Sequence, residues 1–235
     1  MLAFNDIPRE DRIIVALDCD RAEALSLAKK LQGHAKWMKV GMTLYYAEGP
    51  QIVEILKLLG YNVFLDLKFH DIPHQVQGAA ASAVAAGADM VTMHAVGGVP
   101  MMAAAQKAVD ESGTDAATLA ITVLTSMDDA TLAKTGVTRP MAEQVRCLAV
   151  CAQEAGLSGV VASPQEADML RRLLGPDALI VTPGVRPAGS DKGDQSRVAT
   201  PKEAFDNGAS HIVIGRPITK AADPVAAFDA IAAEL

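Results

Sequence analysis

The strongest constraint on this chain is a recurring pattern, not a recurring motif. Eight short runs rich in β-branched and apolar residues appear at 13–17, 37–40, 63–67, 90–94, 118–124, 159–162, 179–182 and 211–214. Each is followed by a helix-like stretch, at 21–31, 48–59, 74–86, 100–111, 139–155, 164–174, 201–207 and 224–233. Several of these stretches carry Pro in the first turn or end at Gly, as helices do. Strand alternating with helix requires crossover connections and therefore a parallel sheet. Eight such units within 235 residues fit a single (β/α)8 barrel, a TIM barrel, occupying the whole chain as one domain. With 50% hydrophobic residues the chain can bury one large core of that kind. A doubly wound open sheet is the main competitor. It is disfavoured because no GxGxxG follows the first run, which ends in Asp18 instead.

In a barrel the C-terminal ends of the strands face the active site, so those positions form a functional census. In order they supply Asp18, Lys39 within KVG, then Asp66, Lys68 and Asp71, then His94, then Thr125 and Ser126. The seventh run opens into a loop, 183–197, that contains Arg186 and Gln195, and the eighth ends in Gly215 and Arg216. The densest stretch is YNVFLDLKFHDIPHQVQ, residues 61–77. Side chains two apart on a strand share a face, so Asp66 and Lys68 point one way and Leu65, Leu67 and Phe69 the other. An exposed edge strand could carry such a pair as ordinary surface charge. Between buried neighbours, however, charges are costly to desolvate unless they serve chemistry. Long loops without regular structure are commonly binding loops or lids, and the loops after the last two barrel strands often hold a phosphate. Gly215 permits close backbone approach there, and Arg216 offers a guanidinium suited to phosphate.

Other features point away from further chemistry. Cys19, Cys147 and Cys151 are odd in number and lack a CxxC pair, as expected of small buried hydrophobes in a reducing compartment. The histidines form no HExxH or similar ligand spacing, so no metal site is expected, and His94 reads equally as a ligand contact or a rim histidine. No GxSxG supports a serine hydrolase. A net charge of -7 argues against non-specific binding to nucleic acid or anionic membranes. No run approaches the ~18 apolar residues of a membrane span, and the first residues lack a signal-peptide layout. A soluble, cytoplasmic protein is expected.

The stretch DLKFHDIPHQV resembles the signature of the orotidine 5'-monophosphate decarboxylase family, with its Asp-x-Lys-x-x-Asp-Ile core. The resemblance extends through ALD, KVGM, LTSM, PGVRPAGSDKGDQSR and IGRPIT, essentially the whole chain. Related sugar-phosphate decarboxylases and aldolases share Asp-x-Lys-x-x-Asp, but carry Glu where this chain has Lys39 and use magnesium. A non-catalytic phosphosugar-binding barrel would be expected to have lost part of the charged array, and all four members are present. The resemblance implies loss of CO2 from C6 of orotidine 5'-monophosphate without a cofactor, through Lys39, Asp66, Lys68 and Asp71. It implies Lys68 as proton donor to C6 and Asp66 beside the departing carboxylate. Asp18 and Lys39 would contact the ribose, and Thr125 or Ser126 the pyrimidine. Arg186, Gln195, Gly215 and Arg216 would enclose the phosphate. Leu67, Phe69, His70, Ile72, Pro73, His74 and Gln75 belong to the same substrate-contacting signature. Asp71 would enter the site of a second subunit, making the protein a homodimer.

Overall fold

A computed structural model describes residues 4–187 and 199–235. Its strands close into a barrel: β1 Ile13–Ala16, β2 Trp37–Gly41, β3 Asn62–Phe69, β4 Met90–His94, β5 Ala117–Ile121, β6 Gly159–Val161, β7 Leu179–Thr182 and β8 His211–Ile214. All neighbours are parallel, and β1 pairs with both β2 and β8, which closes the ring and leaves no sheet edge. The fold is a (β/α)8 barrel, as the alternation implies. Two strands differ from the expectation by more than one residue at an end. β3 runs on to Phe69, and β5 stops at Ile121 instead of continuing to Leu124.

The helices are α1 Arg21–Lys30, α2 Met42–Glu48, α3 Gln51–Leu58, α4 Pro73–Ala85, α5 Val99–Ser112, α6 Asp129–Lys134, α7 Met141–Glu154, α8 Ala167–Leu174, α9 Pro201–Asp206, α10 Arg216–Thr219 and α11 Pro224–Ala233. Local chemistry sets many of their starts. Asp20 accepts the Glu23 N–H ahead of α1, Thr200 and Glu203 form a reciprocal capping box at α9, and Asp223 accepts two backbone N–H groups at α11. Caps of this kind are worth about 1 kcal/mol each. Pro lies in the first turn of α4, α5, α9, α10 and α11, where its missing N–H costs nothing. Helices α2, α6 and α10 were not expected. They have 7, 6 and 4 residues, too few to establish a helical period.

The strands are buried on both faces, and alternate residues serve two apolar layers. Ile14, Ala16, Phe64, Leu119, Val181 and Val213 fill the barrel interior. Ile13, Val15, Val63, Leu65, Ile212 and Ile214 pack outward against the helices. Between β6 and β7 only glycine fits: a Cβ at Gly159 would lie 1.9 Å from the Leu179 carbonyl oxygen. Among the described residues no helix is long and apolar enough to cross a membrane.

Candidate active site

Along β3 the inward-facing residues are Phe64, then Asp66, then Lys68. The alternation that buries Phe64 in the barrel therefore carries the two charges to its C-terminal mouth, while Leu65, Leu67 and Phe69 pack outward. β2 delivers Lys39 to the same place, with 9% of its surface exposed. The charges form a chain. Lys39 Nζ lies 2.8 Å from Asp18 Oδ1 and 3.9 Å from Asp66 Oδ2, and Asp66 Oδ2 lies 2.8 Å from Lys68 Nζ. Gly41 keeps this cluster open, since a Cβ there would stand 3.1 Å from both Asp18 Oδ1 and Lys39 Nζ.

Asp66 sits between the two lysines, its side chain 13% exposed. Burial is the largest single influence on its carboxyl and would raise the pKa. Attraction to Lys39 and Lys68, with hydrogen bonds from Lys68 and Thr92, outweighs burial and holds it below the usual carboxylate range. It is therefore ionised at neutral pH, where Lys68 has a fixed negative partner.

The backbone at Lys68 departs from the regular strand. Its φ of +55° makes it the one non-glycine residue with positive φ among those described. Register shifts here as well: Leu65 pairs with Val91 and Phe69 with Met93, so Asp66, Leu67 and Lys68 all stand opposite Thr92. A left-handed conformation costs an L-residue about 1–2 kcal/mol, and such strain concentrates at functional sites.

A cavity of about 460 Å³ covers the array. Asp18, Lys39, Asp66 and Lys68 line one side, and Thr125, Arg186, Gly215 and Arg216 contribute from the loops after β5, β7 and β8. Ile121, Val123, Val161 and Val213 supply apolar lining. The cavity thus has an alternating ion array, an apolar lining and two guanidinium-bearing residues, suited to a flat polar ring carrying an anionic tail. A larger recess, about 870 Å³, opens at the opposite end of the barrel beside Trp37, Met90, Leu179 and His211. Its Lys57 and Asp89 are paired with each other, and Asp89 also accepts the Val63 N–H, so those charges hold the fold. The smaller cavity is therefore the candidate site.

The remaining expected positions fall in three groups. Thr125 lines the cavity, whereas Ser126 is exposed and does not. His70, Asp71, Ile72, Pro73, His74 and Gln75 lie exposed at the rim, outside the cavity of their own chain, with the Asp71 carboxylate accepting the Ile72 N–H at 2.7 Å. Gln195 lies outside the described residues. His94 meets the His70 ring at a tilt of 54°, with the ring centroids 5.5 Å apart. Burial first, then His70 and Lys68, lower its pKa, so it is neutral at neutral pH. Thr92 is a polar residue of the cluster that sequence reasoning missed, as it missed the apolar lining of Ile121, Val123, Val161 and Val213; a threonine or valine inside a strand carries no signal of its own. Among the described residues no group of three or more His, Cys, Asp or Glu side chains is arranged to hold a metal ion.

Comparison with known proteins agrees with the fold. The family described as "Orotidine 5'-phosphate decarboxylase / HUMPS family" matches residues 11–231. An orotidine 5'-phosphate decarboxylase of Moorella thermoacetica is 52% identical over 236 residues, covering 96% of this chain and 92% of the relative. That of Alkalilimnicola ehrlichii is 50% identical over 225 residues, covering 95% and 96%. Among solved structures, the orotidine 5'-phosphate decarboxylase of Lactobacillus acidophilus superposes with a TM-score of 0.85 at 40% identity, covering 95% of this chain and 98% of its own. An uncharacterized conserved protein from Geobacillus kaustophilus gives 0.84 at 39% identity, covering 94% and 99%.

Proposed function

The chain belongs to the orotidine 5'-phosphate decarboxylase / HUMPS family, and from that premise we propose that it is a carboxy-lyase converting orotidine 5'-monophosphate to uridine 5'-monophosphate in pyrimidine biosynthesis. The observation that carries this reading is the ion chain Asp18–Lys39–Asp66–Lys68, with lysine at position 39. Sugar-phosphate relatives need an acid at that position for magnesium; here an ammonium is inserted between two carboxylates.

The difficulty of the reaction is electronic. When the C6–carboxylate bond breaks, its electron pair stays on C6, and the pyrimidine offers no obvious sink. Decarboxylases elsewhere obtain one from a cofactor. In this reading the sink is replaced by fixed charge. The Lys68 ammonium, held 2.8 Å from Asp66, stabilises the developing carbanion and then gives it a proton. CO2 leaves, and the resulting lysine amine regains its proton from solvent. Asp66 faces the departing carboxylate and disfavours the bound substrate relative to the transition state. Because Asp66 is held by Lys39, Lys68 and Thr92 together, little reorganisation is needed as charge develops. No cofactor takes part.

The other roles follow from position. Asp18 and Lys39 hold the ribose, and Thr125 contacts the pyrimidine. Arg186, Gln195, Gly215 and Arg216 bind the phosphate, whose remote binding energy supports closure over the ring. Asp71 acts on a second subunit. It lies outside its own cavity, on a rim where Ile72 and Val96, at 63% and 56% exposed, present apolar surface that a second copy would cover.

The test is direct. Purified protein treated exhaustively with EDTA and given no metal should consume orotidine 5'-monophosphate, followed by its absorbance. Turnover lost on chelation and restored by magnesium would transfer the chain to the sugar-phosphate chemistry instead.

A further inference from the structure

Thr92 stands in the middle of β4, fully buried and outside the cavity lining. Its hydroxyl makes two bonds. Oγ1 accepts the backbone N–H of Lys68 at 2.9 Å and donates to Asp66 Oδ1 at 3.0 Å. The donor assignment follows from chemistry, because an ionised carboxylate can only accept and a backbone N–H can only donate. The single hydroxyl proton is thus committed to Asp66 and a lone pair to Lys68.

The first bond stands in for part of the sheet. Opposite Thr92 the β3–β4 register slips, and Lys68 turns to a φ of +55°. A buried N–H in so irregular a stretch needs a partner, and the threonine hydroxyl is that partner. The second bond occupies one oxygen of Asp66, while the other oxygen holds Lys68 Nζ at 2.8 Å. Thr92, Asp66 and Lys68 therefore close a ring: the hydroxyl grips the lysine by its backbone and, through the carboxylate, by its ammonium.

We propose that Thr92 is a positioning residue for the decarboxylation, its hydroxyl fixing the Lys68 ammonium and the Asp66 carboxylate in one frame. This rests on the decarboxylase reading above. Without the hydroxyl, Asp66 can rotate about its side-chain bonds and the strained Lys68 backbone loses its anchor. The substrate-binding groups across the cavity are untouched.

The experiment compares Thr92→Val, which keeps the shape and removes both bonds, with Thr92→Ser, which keeps the hydroxyl. A hydrogen bond to a charged group corresponds to roughly 10- to 100-fold in rate. Thr92→Val should lose that much kcat on orotidine 5'-monophosphate with KM within about threefold of wild type, and Thr92→Ser should recover most of the loss. If valine is not accommodated, Thr92→Ala read against Thr92→Ser gives the same comparison. An unchanged kcat in Thr92→Val beside an active wild type overturns the proposal. So does equal loss in the valine and serine variants, which would mark a packing role. A wild-type protein that fails to turn over the substrate would overturn the decarboxylase reading itself.

Discussion

Replacing Lys68 by glycine and by alanine separates the chemistry of its side chain from the strain of its backbone. Both variants remove the ammonium, so both should lose turnover. They differ in what the backbone demands. At φ +55° an alanine bears the left-handed penalty of about 1–2 kcal/mol, which glycine escapes. Glycine gives back about 0.4–1 kcal/mol through its freer unfolded chain. The balance favours Lys68→Gly by about 0.5–1 kcal/mol, or about 1–2 °C in Tm for a chain of this size. The sign is the informative part, because in a regular strand glycine is the worse residue by a similar amount. Thermal unfolding of the two variants measures it, with Val63→Gly and Val63→Ala as the contrasting pair in ordinary β3 backbone. Lys68→Ala more stable than Lys68→Gly would refute the strained-backbone reasoning.

Further outcomes follow from the same geometry. Arg216→Ala should raise KM by roughly 10- to 100-fold with a smaller loss of kcat, as for a charged hydrogen bond to phosphate; an unchanged KM would remove Arg216 from the phosphate site. On the proposed homodimer with a shared site, Lys68→Ala and Asp71→Ala proteins should each be inactive. Their mixture, after subunit exchange, should regain activity toward half the wild-type value per heterodimer, since one site then has both residues intact. Heterodimers that form without rescue would refute the shared site. His211 concerns stability instead. Burial, helped by the Arg12 charge, lowers its pKa from 6.5 to about 3. The unfolded chain therefore binds the extra proton between those values, so stability is full above pH 6.5 and falls as pH drops toward 3. From pH 7 to pH 5 the loss is about 2 kcal/mol. Denaturant titrations of His211→Phe should lack that part of the pH dependence; identical slopes in variant and wild type would count against it.

Patterns of short range were readable from the chain. Strands buried on both faces appear as apolar runs, and helices announce themselves with proline in the first turn and polar caps, so the strand–helix order and the closed barrel follow from residues close in sequence. The period of two put Asp66 and Lys68 on one face, and their 2.8 Å contact agrees. What stayed hidden depends on which strand lies beside which, and in what register. Thr92 meets Lys68 only because β4 pairs with β3 after a slip, and the two residues are 24 apart in sequence. Lys39 meets Asp18 across 21 residues, and nothing local to either residue foretells it. The φ of Lys68 is likewise set from outside: lysine has no preference for the left-handed region and adopts it only where neighbouring strands hold it there. Side-chain periodicity is a property of one segment and can be read along it. Register, strain and charge pairing are properties of segments brought together, and they exist only once the barrel has closed.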